Sequence, residues 1–242
     1  MIRLFLSFLF LALVHVSVSP AAALTVINAG VGGNSSADLL ERLEEDVLSR
    51  EPDLVILMVG TNDALNSRKL SSPAAFEANL ASLIAEIIES GSRLLIMTIP
   101  PCHSGYLLAR HSREAYGGIS PDERVLALNQ LIRKAGDRPA VQVVDIHALF
   151  KERGGASELP ASLIRNETNS GVKDGVHPTA EGYAVIAEAL HEALAGLEWV
   201  GDRSTVVCLG DSITYGAGMK KAGKAGPDST SYPGQLFRLL DP

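Results

Sequence analysis

Ser212 stands in Gly210-Asp211-Ser212-Ile213-Thr214, directly after the apolar run Val206-Val207-Cys208-Leu209. Asp174 and His177 stand three residues apart in Asp174-Gly175-Val176-His177-Pro178. A hydroxyl, an imidazole and a carboxylate are the parts of a nucleophile, a general base and the group that orients the base. Two further segments, Asn28-Ala29-Gly30-Val31-Gly32-Gly33 and Gly60-Thr61-Asn62-Asp63, offer backbone and amide N–H donors of the kind that stabilise an oxyanion. The chemistry these types could do together is acyl transfer.

Each segment also has a plainer reading. A Gly-Asp-Ser turn is most often an ordinary loop. Position 214 is threonine, so the Gly-x-Ser-x-Gly nucleophile elbow is not matched. The glycines at 30 and 32 would need a third at position 35 to cradle a dinucleotide, and that residue is Ser35. The Asp174–His177 pair says more. Gly175 frees the chain to turn, Pro178 biases His177 away from helix, and Thr179 is a candidate N-cap. These neighbours fix the imidazole at the mouth of a helix with a carboxylate beside it.

The elements that must hold these residues alternate along the chain. Near-continuous hydrophobic runs at Leu24–Asn28, Leu54–Val59, Leu94–Ile99, Val141–Ile146 and Thr205–Leu209 predict parallel strands covered on both faces. Helical stripes lie between them: Leu39, Leu40, Leu43, Val47 and Leu48; Phe76 to Ile87; Val125 to Ile132; Tyr183 to Leu194. A last short helix is predicted from Pro233 to Leu240. Alternation of this kind predicts a three-layer α/β/α domain, flavodoxin-like, on a parallel five-stranded sheet. Ser212, Gly33 and Asn62 all then follow strands at the carboxyl edge, where open sheets bind ligands.

The four segments together resemble the SGNH (GDSL-type) hydrolase family, whose blocks are named for Ser, Gly, Asn and His. The resemblance implies Ser212 as nucleophile, His177 as base and Asp174 as its orienting acid. It implies Gly33, Asn62 and the Ser212 N–H as oxyanion donors, with no metal and no cofactor. Asp211 and Asp63 are expected to order their loops. The order departs from that family, because the serine block comes last here, so the chain reads as a circular permutant. The linker Glu198–Ser204 can span at most roughly 23–25 Å, ample to return the chain to the start of the Thr205 strand. Opening the domain at a loop costs little, since termini often lie close together. A monomer is expected, with exchange of residues 205–242 between two chains as the alternative.

Met1-Ile2-Arg3, an apolar run from Leu4 to Val18 and Pro20-Ala21-Ala22-Ala23 predict a signal peptide over residues 1–23, leaving residues 24–242 as one hydrolase domain. A retained anchor is the alternative; no later stretch is long enough to span a membrane. The expected location is secreted or periplasmic. Net charge is −7, and the one cationic cluster, Lys220, Lys221 and Lys224, sits in a Gly/Ala-rich loop, so nucleic acid is not an expected partner. Cys102 and Cys208 allow at most one disulfide, and a buried free thiol is expected for Cys208. His103 and His111 are expected in a solvated loop, with the edge of the cleft as the alternative, and His147 has no evident partner. Asn34 and Asn166 begin glycosylation sequons. The expected function is a secreted serine esterase for short acyl groups, acetyl above all, on a small-molecule or carbohydrate ester. A glycan acyltransferase with the same site and a non-catalytic glycan-binding domain are the alternatives.

Overall fold

The computed structural model describes residues 23–136, 138 and 140–241, so all but the last residue of the leader expected over 1–23 lies outside it. Five parallel strands form one sheet: β1 (Thr25–Gly30), β2 (Leu54–Met58), β3 (Arg93–Met97), β4 (Val141–Val144) and β5 (Thr205–Gly210). Their spatial order is β1-β5-β2-β3-β4. The last strand in the chain is therefore inserted between the first two, pairing Thr25 with Thr205 on one side and Leu54 with Val206 on the other.

The helices are α1 (Ser36–Glu41), α2 (Leu43–Asp46), α3 (Thr61–Leu65), α4 (Pro73–Glu89), α5 (Ser104–Arg110), α6 (Pro121–Ala135), α7 (Ile146–Glu152), α8 (Glu167–Ser170), α9 (Ala180–Leu194), α10 (Ser212–Tyr215) and α11 (Tyr232–Leu240). Side chains alternate along β2. Val55 and Leu57 enter a core with α1, α2, α4 and α6, whereas Leu54, Ile56 and Met58 enter a second core with α7, α9 and α11. All five of those residues are fully buried. At about 1.5–3 kcal/mol for each large apolar side chain, this one strand supplies a sizeable share of the burial energy. The expected three layers are present.

Two sequence expectations shift. The stripe from Leu39 to Leu48 is not one helix: it breaks at Arg42, whose backbone leaves helical geometry at ψ 6°. The Arg42 guanidinium is drawn inward instead, donating to the carbonyls of Ala29 and Gly210 at 2.9 Å each and to Asn34 Oδ1 at 2.6 Å. The strand expected to reach Ile146 stops at Val144, because the Asp145 carboxylate accepts the Ala148 N–H and starts α7. Cys102 and Cys208 are both buried free thiols.

Glycine at two paired positions sets how closely the helix after β5 can pack. Gly30 and Gly210 lie side by side in the sheet. A Cβ at Gly30 would lie 2.1 Å from the Tyr215 nitrogen, and one at Gly210 would lie 2.7 Å from the Met58 carbonyl oxygen. Gly30→Ala is therefore expected to lower stability by at least about 1–3 kcal/mol, read from the denaturant midpoint. A midpoint equal to the parent's would mean that α10 can lift away without cost.

Candidate active site

Gly33, Asn62 and Ser212 follow β1, β2 and β5 at the carboxyl edge of the sheet, whereas Asp174 and His177 lie in the loop between α8 and α9. β5 ends at Gly210, Asp211 takes the N-cap position, and its Oδ1 accepts the Ile213 N–H at 2.8 Å, starting α10 at Ser212. The Asp174–His177 loop is held by two neighbouring strands of contact: Arg165 N–H donates to the His177 carbonyl at 2.9 Å, and Gly175 N–H donates to the Arg165 carbonyl at 2.9 Å. Gly175 has φ +78°, the left-handed region its turn requires. Thr179 caps α9 by accepting the Gly182 N–H at 3.1 Å, as the sequence predicts.

These loops bring three residues into one line. The His177 ring has Nδ1 at 3.0 Å from both carboxylate oxygens of Asp174 and Nε2 at 2.9 Å from Ser212 Oγ. Asp174 Oδ1 also accepts the backbone N–H groups of Val176 and His177, each at 3.0 Å. Burial raises the Asp174 carboxyl, but the His177 ring and these two N–H groups outweigh it and hold the group at about 2. Arg165 adds an ion pair to its Oδ2 at 3.5 Å.

Asn62, at the start of α3, lines the same cleft as Ser212 and His177. Its amide donates to the Asn34 carbonyl at 2.9 Å and makes a long 3.4 Å contact to Asp211 Oδ2. Gly33 is not on the cleft lining; its neighbour Gly32 approaches Ser212 more closely, a Cβ there lying 3.9 Å from Ser212 Cβ. No protein acceptor among the described residues meets the N–H of Gly33 or of Ser212. Asp63 orders its surroundings as expected, accepting from Ser36 N–H at 2.9 Å and from the Ser36 and Ser71 hydroxyls at 2.6 and 2.7 Å.

The remaining candidates divide. His111 lines the cleft and His103 the neighbouring cavity, at the C-cap and N-cap of helix α5, where an irregular solvated loop was the expectation. His147 has a partner after all, its Nδ1 lying 3.1 Å from the Ile99 carbonyl. Asn166 is buried and donates to the carbonyls of Ser157 and Leu159, so its sequon is occupied by structure. Arg42, Arg110 and Arg165 escaped the sequence reading. Each acts on backbone or on a residue far away in sequence, which no local motif marks.

The GDSL-like lipase/acylhydrolase family matches residues 14–185, well over half of the chain. The chain belongs to that family. It is 28% identical over 188 residues to an acetylxylan esterase of Geobacillus stearothermophilus, covering 77% of this chain and 79% of the relative. It is 29% identical over 181 residues to the lipoprotein YqeF of Bacillus subtilis, covering 70% and 73%. Among solved structures, an acetyl-xylooligosaccharide esterase from Geobacillus superposes with a TM-score of 0.53 at 26% identity, covering 71% of this chain and 72% of that one. This GDSL-type chain is a carboxylic ester hydrolase with the α/β fold of its relatives. No described helix is long and apolar enough to cross a membrane.

Asp211 of this hydrolase is the carboxyl with the opposite fate to Asp174. Complete burial pushes it up to about 6, with Asp63 adding to the rise and the Ile213 N–H, Thr61 and His177 opposing it. The raised value means that the folded state holds a proton that the unfolded chain releases near 3.8. Stability from this group is present below about 4 and is lost as pH rises through about 6, on the order of 3 kcal/mol. Asp174 runs the other way: its contribution is present above about 4 and is lost as pH falls through about 2. Asp211→Asn stays neutral and keeps an oxygen for Ile213. Its stability relative to the parent is expected to rise between pH 4 and 7 in denaturant titrations; a flat difference would refute this.

Proposed function

We propose that the chain is an exported serine esterase that removes short acyl groups, acetyl above all, from small or carbohydrate esters through an acyl-serine intermediate. The observation that carries this is the His177 ring bonded at once to Asp174 and to Ser212 Oγ. In this reading Ser212 Oγ attacks the ester carbonyl while His177 Nε2 takes its proton. The Asp174 carboxylate, held ionised, keeps Nδ1 protonated and so fixes the tautomer that can accept. His177 then protonates the leaving alcohol and, in the second half, activates water against the acyl-serine.

The oxyanion that forms between these steps would be met by the N–H groups of Gly33 and Ser212 and by the Asn62 amide. The first two are unclaimed by any described protein acceptor, and one Asn62 N–H is tied only by the long contact to Asp211. Losing one such donor costs about 10²–10³ in rate. A short acyl group suits the cleft, about 350 Å³, whose lining residues are mostly polar with Leu65, Leu107 and Val176 as its apolar side chains. Acetyl-directed esterases among the relatives support the same choice. Export is supported by the leader pattern of residues 1–23 and by a lipoprotein among the relatives.

The same proposal includes circular permutation. With the final strand counted first, the sheet order becomes 2-1-3-4-5, the doubly wound order of flavodoxin-like domains. The family match also stops at residue 185, short of the segment that carries Ser212. Both features are expected of a domain opened at the loop between its first two strands.

Initial rates on 4-nitrophenyl esters test the proposal. Acetate is expected to be turned over with kcat/KM at least tenfold above octanoate, since methylenes beyond the pocket gain no burial. Ser212→Ala and His177→Ala are expected to lower kcat by about 10³–10⁶, and Asp174→Asn by about 10⁴, with folding unchanged by circular dichroism. Activity that survives Ser212→Ala removes the nucleophile from the scheme. Recovery on mixing the two dead variants would instead place each site across two exchanged chains.

A further inference from the structure

One wall of the cleft takes no part in these steps. It runs from His103 to His111 and is fastened to the Asp174–His177 loop at three points. His103 N–H donates to the Gly175 carbonyl at 2.8 Å, and the Arg110 guanidinium donates to the carbonyls of Lys173 at 2.5 Å and Asp174 at 2.7 Å. Gly175 permits the close fit, since a Cβ there would lie 3.1 Å from His103 Cβ and 3.2 Å from Tyr106 Cβ. Two of the Arg110 N–H donors are thus spent on backbone carbonyls that fix the loop. The wall ends at His111. Its ring stands edge-on to Tyr116 with centroids 6.1 Å apart, and its Nδ1 meets the Ser67 hydroxyl at 3.3 Å. Tyr116 is itself buried, its hydroxyl donating to the Leu65 carbonyl at 3.1 Å. The imidazole is therefore held from two sides on the lining of the cleft, and Nε2 meets no protein partner among the described residues.

We propose that His111 recognises the alcohol half of the substrate, and that this half is a polyol whose free hydroxyl beside the acylated one hydrogen-bonds Nε2. The inference rests on the esterase reading of Ser212 above. A hydroxyl both donates and accepts, so it matches Nε2 whichever tautomer the Ser67 contact selects. The amides of Asn62 and Asn66 on the same lining add further donors and acceptors for a hydroxyl. Asp174, the lining carboxylate, is already taken by the His177 ring and two backbone N–H groups. Imidazole and amide donors and acceptors on one lining suit a hydroxyl-rich alcohol better than a lipid tail.

The test compares kcat/KM on a methyl glycoside monoacetate with a free hydroxyl beside the ester and on its deoxy counterpart lacking that hydroxyl. The parent is expected to prefer the first by roughly tenfold, the effect of about one hydrogen bond made in a built site. His111→Phe is expected to bring the ratio close to one, and His111→Gln, which keeps a polar amide, to recover part of it. A parent ratio near one overturns the inference, as does a preference that survives in folded His111→Phe. A parent that cleaves 4-nitrophenyl acetate yet shows no preference defeats only this inference, whereas failure on every ester defeats the reading of the site beneath it.

Discussion

The pairing of β5 with β1 on one side and β2 on the other is the contact on which the site depends. It joins the last ordered strand of the chain to the first through six paired positions, Thr25 with Thr205 through Gly30 with Gly210. Without it the sheet would break between β1 and β2, and Ser212 would have no fixed relation to His177. The two glycines at its end let α10 descend onto β1, and Arg42 ties the carbonyls of Ala29 and Gly210 together across the pair. The loop bearing Gly33 and the turn bearing Ser212 are thereby held as one unit, which is what an oxyanion site assembled from both would require.

Around Ser212 the protein spends hydrogen bonds unequally on two carboxyls. Asp174 receives an imidazole, two backbone N–H groups and a guanidinium, and it stays ionised. Asp211, next to Ser212, is wholly buried with a single short backbone N–H and a long contact to Asn62. The hydroxyls of Thr61 and Tyr183 are buried without hydrogen-bond partners. An ionised carboxylate in that position is unfavourable to the fold, so the Asp211 carboxyl holds its proton more tightly than a free aspartic acid does. Active sites often carry such perturbed groups, because a geometry set by chemistry leaves less freedom to satisfy every buried atom.

The wall from His103 to His111 shows how a segment that looks like loop can become part of a site. Its helix is short, and its cap is the imidazole of His103 in place of a serine or aspartate, accepting the Tyr106 N–H at 3.2 Å. Nothing in its composition forecasts that it will dock on the Asp174–His177 loop. The docking comes from backbone carbonyls at Lys173, Asp174 and Gly175, which have no sequence signature.

Much of the fold and the core of the candidate site was legible in the residues alone. Continuous runs such as Leu54–Val59 can only be satisfied by burial on both faces, so the parallel sheet followed from them. Asp174-Gly175-Val176-His177-Pro178 fixes its own geometry, because a glycine turn, a pre-proline residue and a helix cap act within a few residues of each other. What the sequence could not determine was anything carried by long-range contacts. The break of the first helical stripe at Arg42, the contact of Arg165 with Asp174 and the unequal ionisation of Asp174 and Asp211 all depend on which groups arrive from elsewhere. Local propensity is a property of neighbours in the chain; burial and electrostatics belong to neighbours in space, and only the folded sheet decides who those are.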